Sequence, residues 1–134
     1  MSTGYQINDQ EGIYYLTFQI VEWIDLFTRK IYRDIIIDSL SFAIAKKDLQ
    51  VFAFVIMSNH VHLIVQSASG NLSGTIRDIK KYTSKKIIET IQTIQESRSR
   101  WMLNQFRYHA QLTARNELYQ VWSHENHAMH LYGP

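Results

Sequence analysis

Two apolar runs of strand length, QVFAFVIM at 50–57 and HVHLIVQ at 60–66, are separated only by Ser58 and Asn59. So short a link between extended segments predicts an antiparallel hairpin, and the rest of the chain must be arranged around it. Within the second run successive side chains point to opposite faces, so His60 and His62 share a face while Val61 takes the other. Two imidazoles side by side can hold a metal ion, which makes this strand the first place to look for chemistry.

The flanking sequence extends the sheet. Residues 13–21, IYYLTFQIV, are aromatic and β-branched and predict a strand. Residues 29–47 are polar at the intervals of a helix packed on a sheet. After SASGN, a turn or helix-capping segment, Leu72, Ile76, Ile79, Thr83, Ile87, Ile91 and Ile94 recur at steps of three and four, one apolar stripe on a helix over 72–95. Residues 98–115 read as a less regular helix, and LYQVWS at 118–123 predicts a last strand. The order β-α-β-β-α-β specifies an α+β fold, a ferredoxin-like split βαβ sandwich with an antiparallel sheet, in which the histidine strand is central. With 46% hydrophobic residues, a single proline at position 134 and no linker or repeat, residues 1–134 are expected to form one domain.

Charge is unevenly spread. Residues 1–70 carry five Lys/Arg against seven Asp/Glu, whereas 77–115 carry nine against three. A basic second half points to a polyanionic partner. Arg77, Lys81 and Lys85 follow one another at i+4 and line one helix face; Lys80 and Lys86 lie beside them, and Arg98, Arg100 and Arg107 continue the field. Trp101, Phe106, Tyr108 and Trp122 offer aromatic surface to unpaired bases. The competing reading is a solvated helix face with core aromatics. Cysteine is absent, which removes disulfides, thiolate metal sites and a cysteine nucleophile. Neither a signal peptide nor 18 consecutive apolar residues is present, so no membrane partner is expected and the chain reads as cytoplasmic.

Two histidines are not a complete site, since a third ligand is needed, and an HxH strand can equally hold two half-buried, hydrogen-bonded imidazoles. The wider sequence bears on that choice. MSNHVHLIV resembles the signature strand of the single-tyrosine HUH transposases, with Val61 as the bulky apolar residue between the histidines. LSGTIRDIKKYTSKKIIETI, QESRSRWML and YQVWSHENHAMHLY resemble the REP-associated tyrosine transposase branch, from the first strand to the last residue.

The resemblance implies cleavage and rejoining of single-stranded or hairpin DNA. His60, His62 and a third polar side chain would hold a divalent cation, Mg2+ or Mn2+, and a tyrosine would attack to leave a 5′-phosphotyrosine and a free 3′-hydroxyl. In the related sequences that tyrosine lies in a stretch reading roughly Tyr-Ile-His-x-Asn-Pro-Val, which these 134 residues do not contain. Three expectations follow: a chain that ends before its nucleophile and third ligand and acts as an inactive DNA-binding remnant, a substitute among Tyr82, Tyr119 and Tyr132, or a tyrosine supplied by a partner copy in a homodimer. Tyr82, flanked by lysines in KKYTSKK, is the catalytic candidate of the three, although its spacing from Ile79 also suits a packed ring.

WSHENHAMH gathers His124, Glu125, His127 and His130, which on a helix would stack the histidines at i+3; the alternative is a surface patch near a chain end. Outside this class, the chain could be a ferredoxin-like interaction module with structural histidines, separated from the DNA readings by the salt dependence of hairpin binding.

Overall fold

The hairpin forms as its spacing requires. In the computed structural model, which describes residues 6–113 and 117–131, β2 (Leu49–Ile56) and β3 (His60–Ser67) pair antiparallel. On the other side β3 pairs with β1 (Ile13–Gln19), and β1 pairs with the short β4 (Met129–Leu131). The sheet order is β2-β3-β1-β4, with every neighbouring pair antiparallel. β1 and β2 therefore run parallel with β3 between them, the split βαβ arrangement expected from the element order.

Three helices cover one face: α1 (Lys30–Lys46), α2 (Leu72–Thr93) and α3 (Ser99–Leu112). α1 buries Tyr32, Ile35, Ile36, Ser39, Leu40 and Ala43 along one stripe. It stops where Asp48 takes a left-handed backbone (φ 57), while the Lys47 amide donates to the Ala43 carbonyl at 2.9 Å. α2 buries Leu72, Ile76, Ile79, Thr83, Ile87 and Ile91, so the stripe read from the sequence is its core side; Ile94 caps the helix.

Beneath the helices, Tyr14, Leu16 and Phe18 of β1 and Val61, Leu63 and Val65 of β3 are all at most 2% exposed. Each such side chain contributes roughly 1.5–3 kcal/mol through its removal from water. Their sequence neighbours Ile13, Tyr15, Thr17, Gln19, His60, His62, Ile64 and Gln66 are half-buried on the opposite face.

The last strand is not where the sequence suggested. Residues 118–123 join the sheet through an isolated bridge between Ile20 and Trp122; the fourth strand is β4, which begins six residues after Ser123. The reason is local. The Gln120 amide donates to the Phe106 carbonyl of α3, and Val21 and Ser123 bond across to Val121 and Gln19. These bonds tie α3 to the end of β1 in place of a regular ladder.

A buried carboxylate locks the helix layer. Glu96 is 8% exposed and accepts from the Tyr32 hydroxyl at 2.9 Å, from Arg29 at 3.2 Å and from Arg98 Nε at 3.3 Å. Burial pushes its carboxyl up, but hydrogen bonds from Arg98 and Tyr32 and the Arg98 charge outweigh that and hold it below the usual range. Among the described residues no helix is long and apolar enough to cross a membrane.

Candidate functional site

β1 and β3 are in register with Thr17 opposite His62 and Gln19 opposite His60. These four side chains form one patch on the face without helices. The His60 and His62 rings stand edge to face with centroids 4.6 Å apart. Each Nδ1 already has an oxygen partner: His60 meets Asn59 Oδ1 at 2.7 Å and His62 meets Thr17 Oγ1 at 3.1 Å. A carboxamide oxygen only accepts, so His60 donates from Nδ1 and its lone pair lies on Nε2. Burial, and then the neighbouring His62, push His60 below the ordinary histidine range, which keeps it neutral near pH 7. A neutral imidazole oriented through Nδ1, as His60 is, is what metal ligation needs.

Sequence reading missed the residues that orient the pair. Asn59 reads only as a turn residue, and Tyr15, Thr17 and Gln19 only as alternate positions of a strand; the alternation was visible but the register that places them against the histidines was not. Gln19 Nε2 donates to the carbonyls of Asn59 at 2.9 Å and Ile20 at 3.1 Å, tying β1 to the hairpin turn. Tyr15 packs its ring 5.3 Å from that of His62.

The other tyrosines are elsewhere. Tyr82 is exposed on α2, which packs on the far face of the sheet, so the sheet itself separates it from the histidines. Tyr119 is half-buried, with its hydroxyl 3.3 Å from Arg107 Nη2. Tyr132 lies outside the described residues.

The basic residues divide in the same way. Arg77, Lys81 and Lys85 are exposed on α2 and line a cavity of about 750 Å³ between that helix and residues 117–126. Lys86 on α2 and Arg100 on α3 are also exposed. Lys80 turns inward: its ammonium sits 5.1 Å from the centre of the Phe18 ring and donates to the Ser123 carbonyl at 2.9 Å, and burial brings its pKa down to about 8. Arg98 is committed to Asp25 at 2.7 Å and to Glu96, which makes it a structural cation. Trp122 is 4% exposed, packs between Phe18 and Phe27 and donates to Thr83 Oγ1 at 2.9 Å, so its ring belongs to the core and not to a DNA-facing surface.

The histidine-rich end is not helical, so its histidines do not stack. His130 is on β4 against Tyr14, with ring centroids 4.7 Å apart; His127 has φ 46 and Nε2 3.8 Å from Glu125; His124 lines the cavity. Among the described residues no three His, Cys, Asp or Glu side chains are grouped to hold a metal ion.

A family model described as "Transposase IS200 like" matches residues 13–123. Among solved structures, the chain is similar to a REP-associated tyrosine transposase bound to a REP hairpin, at 14% identity and a TM-score of 0.56. That match covers 100% of this chain and 64% of the other, so the chain spans under two thirds of that protein's length. It is also similar to a protein from Deinococcus radiodurans R1 assigned as a transposase, at 11% identity and a TM-score of 0.51, over 81% of this chain and 97% of that one. No curated protein matches. At these identities the structural likeness concerns the fold.

Proposed function

The chain belongs to the IS200-like transposase family, and from that premise we propose that it binds single-stranded or hairpin DNA and holds a divalent cation at His60 and His62 for strand cleavage and rejoining. The observation that carries this reading is the pair of oriented imidazoles, each with Nδ1 occupied by an oxygen partner, on the face left open by the helices. The donors fit Mn2+ or Mg2+ held jointly with phosphate oxygens, which supply ligands that two imidazoles cannot. When bound there, such a cation polarises a phosphoryl oxygen and orients the scissile phosphate.

The chain's own residues supply the rest. Asn59 and Thr17 hold the two rings; Arg77, Lys81, Lys85, Lys86 and Arg100 neutralise phosphates on the helix side. The two surfaces meet at the end of β1, where Lys80 bonds the Ser123 carbonyl, the Ser123 amide bonds the Gln19 carbonyl, and Gln19 lies opposite His60. Hydrogen bonds thus run from the basic helix through Ser123, Gln19 and Asn59 to His60. Of the described tyrosines, Tyr15 is the one whose ring contacts the pair, so a phosphotyrosine formed by this segment alone has Tyr15 as its first candidate.

The test is manganese binding by calorimetry together with hairpin binding at several salt concentrations. His60→Ala/His62→Ala should lose at least tenfold in Mn2+ affinity while staying folded, and wild-type DNA affinity should fall steeply with salt. Unchanged Mn2+ affinity removes the metal reading; salt-independent binding, or none, removes the DNA reading.

A further inference from the structure

After β1 the chain makes a tight turn over Val21–Trp23, held between α3 and the hairpin turn at Asn59, whose packing leaves one large side chain outside. Ile20, Val21, Ile24, Leu26 and Phe27 are all at most 5% exposed, yet Trp23 between them is 71% exposed. Burial of an indole is among the larger gains available to a side chain, and this turn forgoes it. Its backbone is also unusual: Glu22 (φ 57) and Trp23 (φ 54) are consecutive left-handed residues, neither of them glycine. Bulky residues rarely adopt this conformation, and it persists where surrounding contacts hold it.

Those contacts are specific. Glu22 Oε2 is 2.7 Å from His109 Nε2 of α3, which pins the turn to the helix layer. The Trp23 carbonyl accepts from Asn59 Nδ2 at 3.4 Å, and the same Asn59 side chain meets His60 Nδ1 at 2.7 Å. One carboxamide therefore joins the backbone under the exposed indole to the imidazole of the candidate metal pair. On the other side Ile20 bridges Trp122, next to Ser123, which accepts from Lys80.

We propose that Trp23 is a stacking platform for an unpaired base of the bound DNA strand, next to the phosphate presented to His60. An exposed indole offers a flat π-face to any base, while the basic helix and the histidines deal with the backbone. The left-handed turn keeps the ring out of the core, and its attachment through Asn59 places the stacked base at a fixed offset from His60. Trp23 is thus a positioning residue whose effect depends on unpaired DNA. The inference rests on the DNA-binding reading above.

The experiment measures affinity, by fluorescence anisotropy, for a hairpin oligonucleotide with and without a single-stranded flank, using wild type, Trp23→Ala and Trp23→Phe. The flanked hairpin should lose roughly tenfold in affinity with Trp23→Ala. It should lose far less with Trp23→Phe, which keeps a ring, and the blunt hairpin should bind all three proteins alike. One abasic position in the flank should weaken wild type to the level of Trp23→Ala and cause no further loss in that variant. Equal affinity of wild type and Trp23→Ala for the flanked hairpin overturns the stacking role and leaves DNA binding intact. An equal loss on the blunt hairpin overturns it in favour of a general contact. Failure of wild type to bind either DNA overturns the functional reading and this inference with it.

Discussion

The two faces of the central sheet are built from the same strands and differ in almost everything else. On the covered face Leu16, Phe18, Val61, Leu63 and Val65 meet the helices and are nearly inaccessible. On the open face Tyr15, Thr17, Gln19, His60 and His62 alternate with them, half-buried; Thr17 bonds His62, while Gln19 and His60 both bond Asn59. A pleated strand separates two surfaces at a spacing of one residue: odd positions of β3 hold the fold and even positions carry the pair of histidines proposed to hold the cation. A register slip of one residue would exchange them, which is why the core on one face also secures the site on the other.

The largest effect should come from breaking the covered face. Leu63→Ala should cost about 3 kcal/mol in urea unfolding, through lost burial and the cavity left behind. His62→Ala, next to it on the open face, should cost under about 1 kcal/mol. Comparable losses at the two positions would mean that the faces are not divided as described.

Next comes the carboxylate within the helix layer. Glu96→Ala leaves the buried Tyr32 hydroxyl without its acceptor and should cost about 2 kcal/mol. Because the folded-state pKa of Glu96 is depressed, its stabilisation is complete above the ordinary carboxylate range and is lost as pH falls through the folded value. Acid unfolding curves should therefore show wild type losing more stability below about pH 4 than Glu96→Gln does.

On the open face the change should be in binding and not in stability. Asn59→Ala removes the oxygen that orients His60 and should weaken Mn2+ binding about tenfold, read by calorimetry, with a small change in unfolding midpoint. A large stability loss with intact Mn2+ affinity would turn Asn59 into a turn residue only.

The last effect concerns Lys80, the one α2 cation of the five singled out that turns into the covered side. Its pKa of about 8 means that the unfolded chain keeps a proton which the folded chain gives up between about pH 8 and 10.4. Wild type should gain stability relative to Lys80→Met as pH rises across that window, read as urea midpoints that diverge between about pH 8 and 10.

How much of this was readable in the chain follows from the range of the forces involved. β1, β2, β3, α1 and α2 were legible within a residue or two because each repeats a period along its own length, as the α2 stripe from Leu72 to Ile91 does, whereas the less regular helix read over 98–115 ends at Leu112. β4 was not, because three residues at a sheet edge carry no period, whereas 118–123 look strand-like for a different reason: Val121 and Trp122 are buried against the core. His60 and His62 were legible from a spacing of two. Their partners Thr17 and Asn59 required a register that no local pattern states. Charge alone could not separate Arg77, exposed beside the cavity, from Arg98, held by Asp25 and Glu96.

The placement of β1 has a consequence for the order in which the molecule assembles. The β2–β3 hairpin closes over a three-residue link and can form early, on the microsecond scale of hairpins. The Thr17 contact to His62 spans 45 residues, and the β1–β4 ladder joins Ile13 to Leu131. Such long loops close late and slowly. The threonine that fixes one imidazole is therefore in place only once the long-range pairing of β1 has formed. Competence to bind metal should thus appear with the slow phase of refolding, after most of the helical signal has been recovered.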